Sequence, residues 1–338
     1  GMDHKVLFGL EYGDQDSANQ RRSATLSSPS LDLANPVFPT VTFTTLSRNT
    51  VSTVESVSAY VQDQIHLGEQ VQIVAGLRYD RFDITGTDLQ PAPDRPFARV
   101  DDKVSPRLGL IYKPRPEVSV YASYSQSFLP RSGDQFLTLT TAQENLEPEA
   151  FTNHEIGVKW DLRPDLNLTA AVFRLDRTNA TTPDPLNPTV SINVGETRTE
   201  GLELGLTGRV RSNWQISGGY AWLDARLQGN DSVRLAQTPR QQFSLWNRYD
   251  VSPRLGFGLG VIHQTSQYAS IRTTATTTRL PAFTRVDAAA FYRVSDAVEL
   301  QLNIENLLDA TYFPDAHNNN NISTGAPLNA RLTLGVRF

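Results

Sequence analysis

Charged side chains recur in this sequence at even separations. Arg78 and Asp80, Glu155 and Lys159, Arg285 and Asp287, Glu299 and Glu305, and Arg331 and Arg337 stand two, four or six residues apart, with Arg107 and Glu203 single in their segments. On an extended chain an even separation puts side chains on one face. Both signs are present. Such a face cannot look into lipid, where each charge is expensive, so it must see water or protein. A wide aqueous pore would accept these groups and a folded plug would pair with them; for any one residue a hydrated wall suffices. The more reactive groups form no constellation. The histidines His4, His66, His154, His263 and His317 are scattered without metal-ligand spacing, and there is no cysteine. Glu147 and Glu149 read as solvated loop carboxylates, and the run from His317 to Asn321 reads as a polar loop tip before a cation or sugar site. No phosphate loop or dinucleotide fingerprint is present. Neither an enzyme nor a resident metal or cofactor is expected.

The elements that carry the charges are strands. The last twelve residues set the pattern. Leu328, Ala330, Leu332, Leu334, Val336 and Phe338 alternate with Asn329, Arg331, Thr333, Gly335 and Arg337. That is period two, with one apolar and one polar face. Repeated along the chain, it predicts fourteen strands, at about 4–12, 54–66, 71–84, 103–112, 118–128, 153–162, 166–177, 197–210, 214–227, 240–249, 255–268, 282–293, 298–306 and 327–338. Long polar loops alternate with tight turns between them. Strands of roughly 9–11 residues match a tilted crossing of a bilayer, and long loops on one side with short turns on the other mark an antiparallel up-and-down barrel of an outer membrane. The fold class expected is therefore all-β, a transmembrane barrel in a single domain over 1–338.

Composition agrees. The chain has 338 residues, 39% of them hydrophobic, a mean hydropathy of -0.36 and a net charge of -5. No run approaches the roughly 18 apolar residues of a membrane helix. The negative charge argues against nucleic acid as partner. Tyr79, Tyr112, Tyr124, Trp160, Tyr220, Trp222, Tyr249 and Tyr292 fall near strand ends on the apolar face, where amphipathic rings suit the headgroup level. Gly1-Met2 reads as an artificial start.

Several segments together resemble a known family. They are Tyr60–Gln64, Gly76-Leu77-Arg78-Tyr79-Asp80, Ser105-Pro106-Arg107-Leu108-Gly109-Leu110 and the run from Tyr121 to Phe128. Leu146-Glu147-Pro148-Glu149, His154-Glu155-Ile156-Gly157-Val158-Lys159, Glu200-Gly201-Leu202-Glu203-Leu204, the stretch from Asn303 to Phe313 and the terminal Phe338 complete the set. The chain resembles the carboxy-terminal barrel of TonB-dependent outer-membrane receptors, of the ferric-siderophore, ferrichrome-like branch. The resemblance implies import of iron as a siderophore chelate, driven by the TonB energy-transducing complex of the inner membrane, in the outer membrane of a Gram-negative bacterium. It implies capture of the chelate by aromatics of the outer loops, for which Phe128, Phe136, Tyr268, Tyr312 and Phe313 are the candidates, and reading of Phe338 by the outer-membrane assembly machinery. Such receptors have 22-stranded, plugged barrels. About eight strands, the plug and its TonB-contacting segment have no counterpart here, so a truncated receptor, not competent for transport alone, is expected. The alternative is a stand-alone passive pore of fourteen strands, closed by pairing of the last strand with the first.

Overall fold

The computed structural model describes residues 1–28, 37–90, 93–131, 146–183, 191–271 and 277–338. Its strands are β1 (Met2–Leu26), β2 (Val41–Leu67), β3 (Val71–Asp88), β4 (Arg95–Arg115), β5 (Val118–Leu129), β6 (Glu149–Arg163), β7 (Leu166–Pro183), β8 (Ser191–Arg211), β9 (Trp214–Leu227), β10 (Asn230–Arg234), β11 (Gln241–Asp250), β12 (Leu255–Gln264), β13 (Gln267–Tyr268), β14 (Arg279–Leu280), β15 (Phe283–Arg293), β16 (Val298–Glu305), β17 (Ala316–Asn318), β18 (Asn321–Ile322) and β19 (Asn329–Val336). One sheet runs β1-β2-β3-β4-β5-β6-β7-β8-β9-β11-β12-β15-β16-β19, all neighbours antiparallel, with β10 appended to β9. The fourteen strands of that path are the wall of an up-and-down barrel.

Register follows the alternation, because a slip of one residue would turn every side chain to the wrong face. On β1 and β2 the rows Phe8–Val61, Leu10–Ala59 and Tyr12–Val57 face one way, and Glu11–Ser58 and Gly9–Tyr60 the other. At the far flank Leu300–Leu334 and Leu302–Leu332 alternate with Gln301–Thr333 and Asn303–Arg331 in the same manner. The apolar face is open. Phe8 is 79%, Leu10 84% and Leu332 70% accessible, as lipid-facing side chains are when lipid is not counted. Fully buried side chains such as Ile84, Leu280, Asn306 and Asp101 lie instead toward the loop end of the strands.

Three expectations are corrected. The described residues of the expected loops over about 13–51 and 85–101 are largely strand. β1 and β2 pair continuously from Met2–Leu67 to Arg21–Arg48 and, after a bulge, to Leu26–Val41. These strands have 25 and 27 residues against roughly 9–11 for a crossing, so about half of each projects beyond the bilayer. Outside lipid both faces meet water, the apolar period disappears, and Ser/Thr-rich sequence retains strand propensity without the signal. Conversely, the strand expected over 255–268 ends at Gln264; Gln267–Tyr268 pairs with Arg279–Leu280 in a separate two-stranded piece. The closure required of a fourteen-stranded pore is not formed either: β1 bonds to β2 and β19 to β16, and the two are not partners among the described residues.

Candidate functional site

The register places Arg78, Asp80, Arg107, Glu155, Lys159, Glu203, Arg285, Asp287, Glu299, Glu305 and Arg331 on the concave face, opposite the apolar one. They fall into separate groups. On β1–β3, the Arg78 guanidinium donates to Glu11 Oε2 at 2.7 Å and to Asp80 Oδ1 at 2.8 Å, and the Ser58 hydroxyl donates to Asp80 Oδ1 at 2.5 Å. The guanidinium lies 5.7 Å from the centre of the Tyr60 ring. That ring lies over Gly9, where a Cβ would come within 2.4 Å of it. On β5–β6, Tyr121 donates to Glu155 Oε1 at 2.5 Å, Lys159 stands 5.7 Å from the Tyr121 ring centre, and the ring covers Gly157 in the same way. Arg107, Ser105, Ser123 and Asn153 line the groove between these groups. Partly hydrated pairs of this kind each contribute about 0–1 kcal/mol, so they shape a polar wall more than they stabilise it.

The second group is at the loop end of β15 and β16. Arg285 donates to Glu305 Oε1 at 2.6 Å, to Asp287 Oδ2 at 2.9 Å and to the Tyr312 hydroxyl at 3.0 Å. Tyr312 is 5% exposed, stacks at 4.8 Å on Phe283 and covers Gly325. Asn306, fully buried and at φ 55°, donates to the carbonyls of Ala310 and Ala326 and accepts from the Ala310 amide. Its carboxamide replaces the ladder bonds the chain loses as it leaves β16.

A third group, absent from the sequence-derived set, closes the root of the segment between β5 and β6. Asp101 accepts from Arg99 Nε at 2.5 Å and from the Arg131 amide at 2.8 Å. Glu149 accepts from Arg177 Nε at 2.9 Å and from the amide and hydroxyl of Thr181 at 3.1 and 2.8 Å, with Arg131 at 3.8 Å. The Arg131 guanidinium also donates to the carbonyls of Glu147 and Asn179. Burial pushes its pKa down and Glu149 opposes that; the group stays charged, since an arginine starts far above neutrality. Glu149 is 4% exposed, so the expectation of two solvated carboxylates holds for exposed Glu147 and fails for its neighbour. The signal lay in Pro148, Glu149 and Arg177, but the pairing joins strands and no spacing rule reveals it.

The aromatic candidates are not brought together. Phe128 meets Phe82 edge-on at 5.9 Å, beside the buried cluster of Val54, Ile84 and Phe97. Tyr268 belongs to the two-stranded piece with β14. Tyr312 is committed to Arg285 and Phe283, and Phe313 packs on Ala269, Leu280 and Ala316. Phe136 lies outside the described residues. Phe338 is exposed beyond the end of β19. The asparagine run is not a free tip: Asn319 accepts from Ser270 and from the Thr278 amide, and Asn318 caps the β17–β18 turn. No group of three or more potential metal ligands occurs among the described residues.

Residues 1–307 match the family described as TonB dependent receptor-like, beta-barrel. A probable TonB-dependent siderophore receptor of Acinetobacter baumannii, PiuA, is 33% identical over 310 residues, covering 85% of this chain and 41% of the relative. The metal-pseudopaline receptor CntO of Pseudomonas aeruginosa is 29% identical over 356 residues, covering 99% of this chain and 49% of that protein. The crystal structure of the Acinetobacter baumannii siderophore receptor PiuA superposes with a TM-score of 0.85 at 28% identity, over 99% of this chain and 53% of that one. The chain thus spans about half the length of the relatives it matches.

Proposed function

This chain belongs to the family of TonB-dependent receptor β-barrels of the Gram-negative outer membrane, and from that premise we propose that it forms part of the wall of a receptor that imports ferric siderophores. The observation that carries the reading is the fourteen-stranded antiparallel wall, which follows a siderophore receptor structure over 99% of the chain. In this reading the concave charged face borders the path of the chelate, and iron enters as cargo inside its organic chelator. The open edges of β1 and β19 take further strands of the same barrel, because unpaired backbone groups in hydrocarbon each cost several kcal/mol. Uptake is coupled to the TonB energy-transducing complex. Phe338 serves insertion by the assembly machinery, and lipid covers the apolar face. A passive pore of fourteen strands is the weaker reading, since a 25-residue β1 and an 8-residue β19 are poorly matched edges and are not paired here.

The test is chelate binding to the protein in detergent, followed by quenching of its four tryptophans. Saturable quenching by a ferric hydroxamate or ferric catecholate, and none by the iron-free chelators, is the expected result. Passage of uncharged sugars through reconstituted membranes, with no response to any ferric chelate, would establish the pore instead.

A further inference from the structure

One carboxylate stands where the wall is otherwise apolar. The outward series of β2 inside the bilayer runs Leu67, Ile65, Asp63, Val61, Ala59 and Val57, so Asp63 falls near its middle. It lies opposite Val6 on β1 and Ala75 on β3, with Phe8 and Leu77 at the next outward positions above. Among the described residues it is the only carboxylate inside the outward apolar stretch of a wall strand. A charge at that depth is costly in hydrocarbon, and an ionisable group kept there points to a contact with a partner.

The wall itself satisfies this carboxylate only in part. His4, one outward step below on β1, donates from Nδ1 to Asp63 Oδ2 at 2.7 Å. Asp63 Oδ1 is covered and has no donor. His4 Nε2 has no partner among the described residues, and the side chains of His4 and Asp63 are 43% and 27% exposed. Around them Val6, Phe8, Val61 and Leu77 form an apolar, accessible surface.

Lipid tails offer this pair nothing. A fitting partner spans the membrane, presents an apolar surface, and holds a donor and an acceptor at the same depth. A second copy of this chain does all three. A two-fold axis along the bilayer normal preserves depth, and its contacts are reciprocal. An imidazolium has two N–H donors, so each His4 ring joins the Asp63 of its own chain through Nδ1 to the Asp63 of the other copy through Nε2. The two imidazolium–carboxylate pairs sum to zero charge. Polar contacts of this kind hold membrane surfaces together where apolar contact alone does not, because lipid competes equally well for the latter.

We propose that the wall associates with a second copy of itself through the outward face of β1–β3, fastened by reciprocal His4–Asp63 contacts. This rests on the membrane reading of the outward face and is independent of which chelate the receptor takes.

The test uses the protein in phosphatidylcholine vesicles. Glu69→Cys, on the exposed β2–β3 turn, carries a donor dye on one population and an acceptor dye on another, and energy transfer is followed as the protein is diluted with lipid. The unaltered wall should show transfer well above the level of random encounters. His4→Leu alone and Asp63→Leu alone should each weaken association about tenfold. Donor-labelled His4→Leu mixed with acceptor-labelled Asp63→Leu should regain most of that loss, since one of the two reciprocal contacts is restored. Leu204→Ala, in another sector of the outward face, should change nothing. Transfer at the random level in the unaltered protein, no loss at either position, or a mixture no better than each variant alone would overturn the assignment; the last result would confine the pair to a single chain. Near-ultraviolet circular dichroism shows whether each variant keeps the native wall, and His4→Phe or Asp63→Ala replaces a leucine variant that does not.

Discussion

The part of the wall inside the bilayer and the part above it are built by different rules. Inside, alternate residues go to lipid and to the lumen, and the only specification needed is apolar against polar: Leu332 and Leu334 out, Arg331 and Thr333 in. Above, both faces meet water, and position is set by pairs that join distant strands, such as Arg131 with Glu149 and Asp101, or Asn306 with Ala326. The membrane part tolerates exchange of like for like on either face. The upper part depends on particular partners.

Five substitutions sharpen that contrast. Glu149→Gln should be the most damaging. It removes the carboxylate between Arg131 and Arg177 and leaves buried positive charge unbalanced, a loss of about 3–5 kcal/mol for a broken buried pair. Limited proteolysis should then cut between 129 and 149 much faster, with the membrane part still resistant. Leu334→Arg comes next, at about 2–4 kcal/mol in the apolar band, whereas Thr333→Arg on the lumen face should cost clearly less. Denaturant midpoints of the two variants compare the faces directly, and equal midpoints would erase the distinction between them.

Those two positions also show what the sequence reveals. Twelve expected strands match their observed positions to within a few residues inside the bilayer, from Val71 through Val336, because lipid imposes period two on every crossing. The face of each charged residue follows from the same rule, hence the common orientation of Arg78, Glu203 and Arg331. The extension of β1 to Leu26 is illegible, since no apolar stripe marks a strand wet on both sides. So is the Glu149 network: residues 99, 131, 149 and 177 come together only when β4, β6, β7 and the segment after β5 are assembled. Tyr312 and Phe313 look like loop aromatics because their burial depends on β15 and β13–β14, far away in sequence.

Smaller effects complete the series. Asn306→Ala should cost about 1–3 kcal/mol by leaving buried backbone groups of Ala310 and Ala326 unpaired, read as faster hydrogen exchange over 306–326. Arg78→Ala removes two ion pairs that water partly reaches, and should move the denaturant midpoint by no more than about 1 kcal/mol equivalent. A large loss at Arg78 combined with a small one at Glu149 would reverse the comparison.

The measurement closest to the central claim is a residue-by-residue accessibility scan of β19. The chain contains no cysteine, so each cysteine introduced from Ala330 to Gly335 carries the only spin label. In lipid vesicles, positions 330, 332 and 334 should favour collisions with oxygen, and 331, 333 and 335 collisions with a water-soluble nickel complex. An alternation with period two shows a strand between lipid and lumen; uniform accessibility to the nickel complex along the strand would contradict the membrane-wall account.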